Sequence, residues 1–255
     1  MAEYQYLVNM RGITKNFGSI EALRGIDLKI GENEIIGLLG DNGAGKSTLI
    51  KILTGVYTPT QGEIFWKDKK LSHYTVAQAR DLGIETVFQD RALCEQQSIM
   101  RNIFMGREIT KALGFLDIKK MRQETISLMK STMGYTSSEF DPDHVVGSMA
   151  GGERLGVAVA RALYFNSHLL ILDEPTANLA LAETQKVIRF VKKIKNEGKA
   201  AIFISHNVYH VYPVVDKFVL LDRGKVAFSY KKEEITLEEL VKHMYEVSGY
   251  EIQED

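Results

Sequence analysis

Apolar positions recur along this chain at two spacings, alternate residues and every third or fourth, and the two spacings take turns. Residues 6–13 and 22–30 are strand-like runs around the turn-prone Asn16-Phe17-Gly18-Ser19, which predicts a hairpin-like start. An apolar run over 34–39 predicts a buried strand, and the helical spacing after it ends at Gly55, a good C-terminal cap residue. Pro59-Thr60-Gln61-Gly62 is a turn; Glu63-Ile64-Phe65-Trp66 then alternates as a strand into the polar run 67–70, with Trp66 as a packed or rim aromatic. Residues 75–82 place Val76, Ala79 and Leu82 on one side of a short helix ending at Gly83, and the strand over 84–88 delivers Gln89.

From 89 to 146 the texture is helical and contains methionines, with segments over 99–105 and 118–133, and Asp141-Pro142-Asp143 breaks it. A further helix opens at Gly147-Ser148-Met149-Ala150-Gly151-Gly152-Glu153 and runs to about Tyr164. An apolar strand, Leu169-Leu170-Ile171-Leu172, ends in Asp173-Glu174-Pro175. A helix over 183–196, a strand over 201–204 ending at Ser205-His206, a strand over 217–221, the turn Asp222-Arg223-Gly224-Lys225, another strand and an amphipathic helix over about 236–247 complete the chain. Strands alternating with helices predict an α/β fold with a mostly parallel sheet, whose site lies on loops at the carboxyl ends of the strands. There is no internal repeat.

Composition narrows the class. The chain has 255 residues, 45% hydrophobic and 25% charged, which fits a globular protein with one large α/β domain or a domain carrying an inserted lobe. A net charge of -1 argues against a broad nucleic-acid footprint. The single cysteine, Cys94, excludes an intramolecular disulfide framework and reads as a reduced thiol. No charged-then-apolar leader opens the sequence and no apolar run approaches the roughly 18 residues of a membrane span, so a cytosolic location is expected, with room for a membrane partner.

Chemistry concentrates first at Gly40-Asp41-Asn42-Gly43-Ala44-Gly45-Lys46-Ser47-Thr48, between a strand and a helix. That is a phosphate-binding P-loop. Glycines let backbone N–H groups turn inward at the positive end of a new helix, Lys46 places a charge against the β and γ phosphates, and the Ser47 hydroxyl is a ligand for a bridging Mg²⁺. Binding of ATP with Mg²⁺ is the expectation.

The aliphatic strand ending in Asp173 looks like a Walker B element, whose carboxylate would hold Mg²⁺ opposite Ser47. Glu174, next to it, suits the orienting or polarising of an attacking water; the bland alternative is a pair of solvated acids opening a turn. With Gly-Gly-Glu-Arg before that strand and His206 after the next, the chain resembles the ATP-binding subunit of ABC transporters over nearly its whole length. The resemblance implies a RecA-like P-loop NTPase core, with an N-terminal antiparallel β subdomain and an inserted helical lobe. The core would be residues 1–89 and 153–255 of a single ATP-binding domain, the lobe residues 90–152.

By the same resemblance Phe17 would stack on adenine, Gln89 would be the glutamine that touches Mg²⁺ and contacts the membrane subunits, and His206 the switch histidine on the γ phosphate. Ala150, Gly151, Gly152 and Glu153 would form the signature loop that reaches the nucleotide held by a second ATP-binding subunit. Taken alone, Phe17 reads as a core residue and Gln89 as a hydrogen-bonded strand cap, and His206 with His210 as a metal pair fails for want of a third ligand. Transmembrane permease subunits would dock near Gln89 and residues 98–106, where Ile99, Ile103 and Phe104 suit either an exposed docking stripe or lobe core.

Two departures stand out. The family signature is usually Leu-Ser-Gly-Gly-Gln, and Ala150 lacks the serine hydroxyl; a hydrogen bond to a charged group is worth roughly 1.5–3 kcal/mol, so closure would weaken by about one to two orders of magnitude per site. Ala180 stands where the family usually ends its D-loop, here Asn178-Leu179-Ala180, in Asp. Slow hydrolysis, or work beside a different ATP-binding subunit, is expected.

Residues 102–108 and 153–162 look most like the importers of simple sugars such as ribose, xylose or fructose. That implies a homodimer with ATP, a permease, indirectly a periplasmic or extracellular solute-binding protein, no nucleic acid, and a peripheral place on the cytoplasmic face of the membrane. Importers of branched amino acids or nucleosides are the nearest alternatives. A non-transport ABC ATPase acting on DNA or ribosomes usually shows a coiled coil, a second ATP-binding domain or a basic linker.

Overall fold

The computed structural model describes residues 5–72, 74–88, 92–133, 140–165, 167–177 and 179–249. Strands β1 (Val8–Phe17) and β2 (Ile20–Ile30) form an antiparallel hairpin, β3 is Ile35–Leu39, helix α1 is Lys46–Leu53, and β4 (Gln61–Trp66) and β5 (Lys69–Lys70) follow. Helix α2 (Val76–Asp81), β6 (Ile84–Val87), α3 (Ile99–Phe104), α4 (Ile118–Met133) and α5 (Gly151–Tyr164) lead to β7 (Leu169–Asp173). The chain ends with α6 (Leu181–Asn196), β8 (Ala200–Ile204), α7 (Val208–Val211), β9 (Lys217–Asp222), β10 (Lys225–Lys231) and α8 (Leu237–Ser248).

Two sheets result. One is antiparallel in the order β2-β1-β4-β5; the other runs β10-β9-β3-β8-β7-β6, parallel except for β10 on β9. In β3, β7 and β8 the aliphatic runs are buried on both faces, as a covered parallel sheet requires. Alternate residues divide between two cores. Ile36, Leu38, Ile171 and Ile202 meet the antiparallel sheet and α1, while Ile35, Leu39, Leu172 and Phe203 meet α5, α6 and α8.

The hairpin is longer than its pattern predicts. Only Gly18 and Ser19 turn, because Lys15, Asn16 and Phe17 pair with β2, and the polar Lys15 and Asn16 mark a solvent-facing strand end rather than a loop. Gly12 and Gly25, at φ 57° and 83°, sit where the register shifts in this pair. Trp66 is packed, edge-on to His168.

A third core joins α3, α4 and α5 through Ile99, Met100, Ile103, Phe104, Met121 and Met129. Ile99, Ile103 and Phe104 are therefore lobe interior and not a docking stripe; Met105, the next residue, is the exposed one. The fold's consequence for chemistry lies in strand order. β3, β8 and β7 are neighbours pointing the same way, so the loops that follow them, at Gly40, Ser205 and Glu174, emerge along one edge.

Candidate active site

The loop after β3 depends on glycine at two positions. Gly40 has φ 139°, and a Cβ there would lie 2.3 Å from the Leu221 carbonyl oxygen; Gly45 has φ 107°, and its Cβ would meet Leu23 Cδ2 at 2.8 Å and the Ala22 oxygen at 3.0 Å. Gly45 is the N-cap of α1, which has no side-chain cap and no acidic residue in its first turn. The donors of that turn lack partners within the helix and offer an anion site with the dipole behind them.

Lys46 is buried, and its Nζ donates to the carbonyls of Gly40 at 2.5 Å and Asp41 at 2.9 Å. Burial pushes its pKa below the ordinary value, and the nearby Glu174, Asp41 and Asp173 carboxylates partly counter that shift. One cleft of about 200 Å³ is lined by Asp41, Asn42, Gly43 and Gly45 through Thr48 together with Asp173, Glu174 and Ala22. Ala44 is buried beneath the loop. Ser47 and Asp173 supply hard oxygen donors across this cleft, a donor set that fits Mg²⁺ held together with phosphate.

Glu174 is held in an unusual conformation. Its φ is +48°, where a non-glycine residue is uncommon, and its N–H donates to the Ile204 carbonyl at 3.0 Å. Its side chain is 12% exposed, against 67% for His206. Glu174 Oε1 accepts from the His206 N–H at 3.0 Å and lies 2.9 Å from His206 Nδ1, while Ser205 Oγ donates to Oε2 at 3.2 Å. The loop after β8 thus aims the carboxylate by three contacts. His210 Nδ1 pairs instead with Thr176 Oγ1 at 3.0 Å, and no cluster of metal-binding side chains occurs among the described residues.

Phe17 is 43% exposed at the end of β1 and packs edge-on to Tyr57 at 5.3 Å; it is not one of the residues lining the Lys46 cleft. Gln89 and Asn178 lie outside the described residues. Ala150, Gly151, Gly152 and Glu153 sit away from that cleft, at the start of α5. Ala150 is the N-cap with no oxygen to offer, and Glu153 reaches back to accept the Ala150 N–H at 2.9 Å. The Gly152 N–H donates to Glu183 at 3.1 Å, a contact between residues 31 apart that sequence patterning could not reveal. Ser205 and Ala22 were equally silent in the sequence, since neither residue type has a signature of its own.

A second groove, between the lobe and the parallel sheet, is lined by Val56, Val76, Phe88, Met105, Arg107 and Arg161 among others. Arg107 there pairs with Glu85 at 2.6 Å and lies over the Phe165 ring at 4.1 Å. No described helix is long and apolar enough to cross a membrane.

Comparison with known proteins agrees with this geometry. The family model described as ABC transporter matches residues 23–177. The xylose/arabinose import ATP-binding protein XylG of Sulfolobus acidocaldarius is 42% identical over 238 residues, covering 93% of this chain and 93% of that protein. The ribose import ATP-binding protein RbsA of Caldanaerobacter subterraneus subsp. tengcongensis is 35% identical over 93% of this chain but only 47% of its own length, so the chain spans about half of that relative. Among solved structures, a nucleotide-free ATP-binding cassette from an ABC transporter superposes with a TM-score of 0.80 at 21% identity, over 98% of this chain and 100% of that one. A dimeric ATP-binding cassette in a post-hydrolysis state with ADP and Pi superposes with a TM-score of 0.75 at 25% identity, over 88% and 98%. With its glycine-cradled lysine, paired carboxylates and α/β architecture, this chain belongs to the ABC transporter family of ATP-binding proteins.

Proposed function

We propose that this chain is the ATP-hydrolysing subunit of an importer for a simple sugar. The observation that carries the reading is the cleft in which Lys46, Ser47, Asp173 and Glu174 converge on the start of α1. Two names among its relatives, xylose/arabinose import and ribose import, support the choice of cargo.

In this reading the N–H groups at the start of α1 hold the triphosphate, and Lys46 leaves its carbonyl partners to meet the β and γ phosphates. Ser47 and Asp173 would hold Mg²⁺, with Gln89 as a further ligand, and the ion when bound neutralises phosphate charge. Glu174 orients the attacking water and accepts its proton, and His206 both aims Glu174 and contacts the γ phosphate. Phe17, backed by Tyr57, offers an apolar edge to adenine.

The start of α5, at Ala150 to Glu153, serves the nucleotide of a second copy of this chain, giving a pair with two shared sites. Because Ala150 and Ala180 lack the usual oxygens, turnover is slow. The groove lined by Phe88, Met105 and Arg107 receives a permease segment on the cytoplasmic side of the membrane, and a solute-binding protein supplies the sugar from outside.

Calorimetry of ATP with Mg²⁺ tests the foundation. Heat of binding that disappears in Lys46→Ala is expected, and no heat in the wild type overturns the reading. Labelled pentose uptake by vesicles holding this chain, its permease and its binding protein tests the cargo. Uptake of a branched amino acid or nucleoside instead would retain the transport role and remove the sugar.

A further inference from the structure

Between α3 and α4 the chain builds a small hairpin. The Asp117 N–H donates to the Ile109 carbonyl and the Lys111 N–H to the Phe115 carbonyl, each at 2.7 Å, and Thr110 bridges Leu116 antiparallel. Ala112, Leu113 and Gly114 make the tip. Leu113 has φ 66°, a left-handed position that favours glycine or asparagine at a solvated turn. It nevertheless carries a large apolar side chain, 94% exposed, with Phe115 71% exposed beside it in the chain and Leu116 and Ile118 also in the open. Single exposed apolar residues need no explanation; an ordered run of them on a backbone-bonded projection does.

Charge distinguishes the partner. Lys111, Lys119 and Lys120 flank the tip and are exposed, and the stretch 107–122 carries Arg107, Lys111, Lys119, Lys120 and Arg122 against only Glu108 and Asp117, in a chain of net charge -1. Arg107 is engaged with Glu85, Arg122 with Asp143 and Lys111 with Asp117, which leaves Lys119 and Lys120 as the outward cations. A protein partner would need a matching cavity for a convex apolar knob, whereas the interfacial zone of a bilayer accepts one of any outline and rewards flanking lysines with anionic headgroups.

We infer that the 109–117 hairpin is a lipid-facing tip, in which Leu113 and Phe115 enter the surface of an anionic bilayer while Lys119 and Lys120 meet its headgroups. Met105 and Arg107, just before the hairpin, line the groove assigned above to the permease. The inference rests on that reading only for the presence of a membrane beside this face. A tip of two side chains binds weakly and reversibly, so it orients a subunit that the permease retains.

Sedimentation of the full chain with phosphatidylglycerol vesicles, without nucleotide or permease, provides the test. Binding above that to phosphatidylcholine vesicles is expected, weakened by salt, and lowered about tenfold or more in the Leu113→Asp/Phe115→Asp double variant. Lys119→Glu/Lys120→Glu should lower it as well. In Phe115→Trp, emission should be quenched by lipids brominated in their acyl chains; the chain's one native tryptophan, Trp66, is buried. No binding by the wild type, equal binding by the double variant, or no quenching in the bound state overturns the inference, the first pointing to the permease as the tip's partner. ATP binding lost on Lys46→Ala is independent of every one of these outcomes, so the two readings fail separately.

Discussion

The Gly152 N–H donates to the Glu183 carboxylate at 3.1 Å, joining the first turn of α5 to the first turn of α6. A side chain at 152 would set its Cβ 2.5 Å from that same carboxylate oxygen. With Glu153 on the Ala150 N–H, two carboxylates of the chain itself sit at the helix start that, in the proposed pair, would meet a second subunit's nucleotide. Anions compete for such donors. In a Glu174→Gln background, where hydrolysis no longer opens the pair, Glu183→Ala should lower the ATP concentration for half-maximal dimerisation by roughly tenfold, the worth of one hydrogen bond to a charged group. Size exclusion across an ATP titration reads the midpoint, and a higher midpoint would mean that Glu183 braces the loop instead.

Ala150 has the extended backbone of an N-cap, φ -66° and ψ 161°, without the oxygen that caps. Ala150→Ser should therefore raise stability by about 1 kcal/mol in denaturant unfolding. If the serine also reaches the partner's phosphate, turnover rises by about one to two orders of magnitude. Stability that rises while phosphate release stays constant would remove Ala150 as a cause of the slow hydrolysis proposed above.

Glu174 and His206 act as one unit, since the Glu174 carboxylate is fixed by the His206 N–H and ring as well as by Ser205. Glu174→Gln should lower turnover about 10²–10⁴-fold and leave ATP binding intact. His206→Ala should fall in the same range, and the double variant should fall little further than the worse single one. Additive losses in steady-state phosphate release would show two independent roles.

Aliphatic runs made β3, β7 and β8 legible in the sequence, because strands covered on both faces have no polar positions to confuse the pattern. The cleft was legible for a related reason: glycine spacing, Lys46 and the Asp173-Glu174 pair are local, and parallel strands bring them to one edge. Patterning failed where partners decide. Lys15 to Phe17 belong to β1 only because β2 pairs with them, and α6 starts at Leu181 behind Ala180, which carries no cap signal. Ile99, Ile103 and Phe104 had a periodicity that fits core and docking surface alike, and packing against α4 and α5 settled it. The Leu113 hairpin gave no alternation because neither of its faces is buried: residues 110–116 are all exposed.

Lys46 gives the cleft a pH dependence whose sign follows from its surroundings. Burial holds its folded pKa below the ordinary 10.5, despite the opposing Glu174, Asp41 and Asp173. Between that depressed value and 10.5 the unfolded chain binds more protons than the folded one, so stability rises with pH across this alkaline window. At neutral pH the buried cation is thus a cost, borne for the ligand. Lys46→Met should keep the unfolding free energy at pH 7 within about 1 kcal/mol of wild type and flatten the alkaline slope, because the Gly40 and Asp41 carbonyls return to water in the open cleft. Phosphate beside Nζ favours the charged form, so ATP binding in that window should take up a proton. Calorimetry in buffers of different ionisation enthalpy would detect the uptake, and its persistence in Lys46→Met would assign the proton to another group.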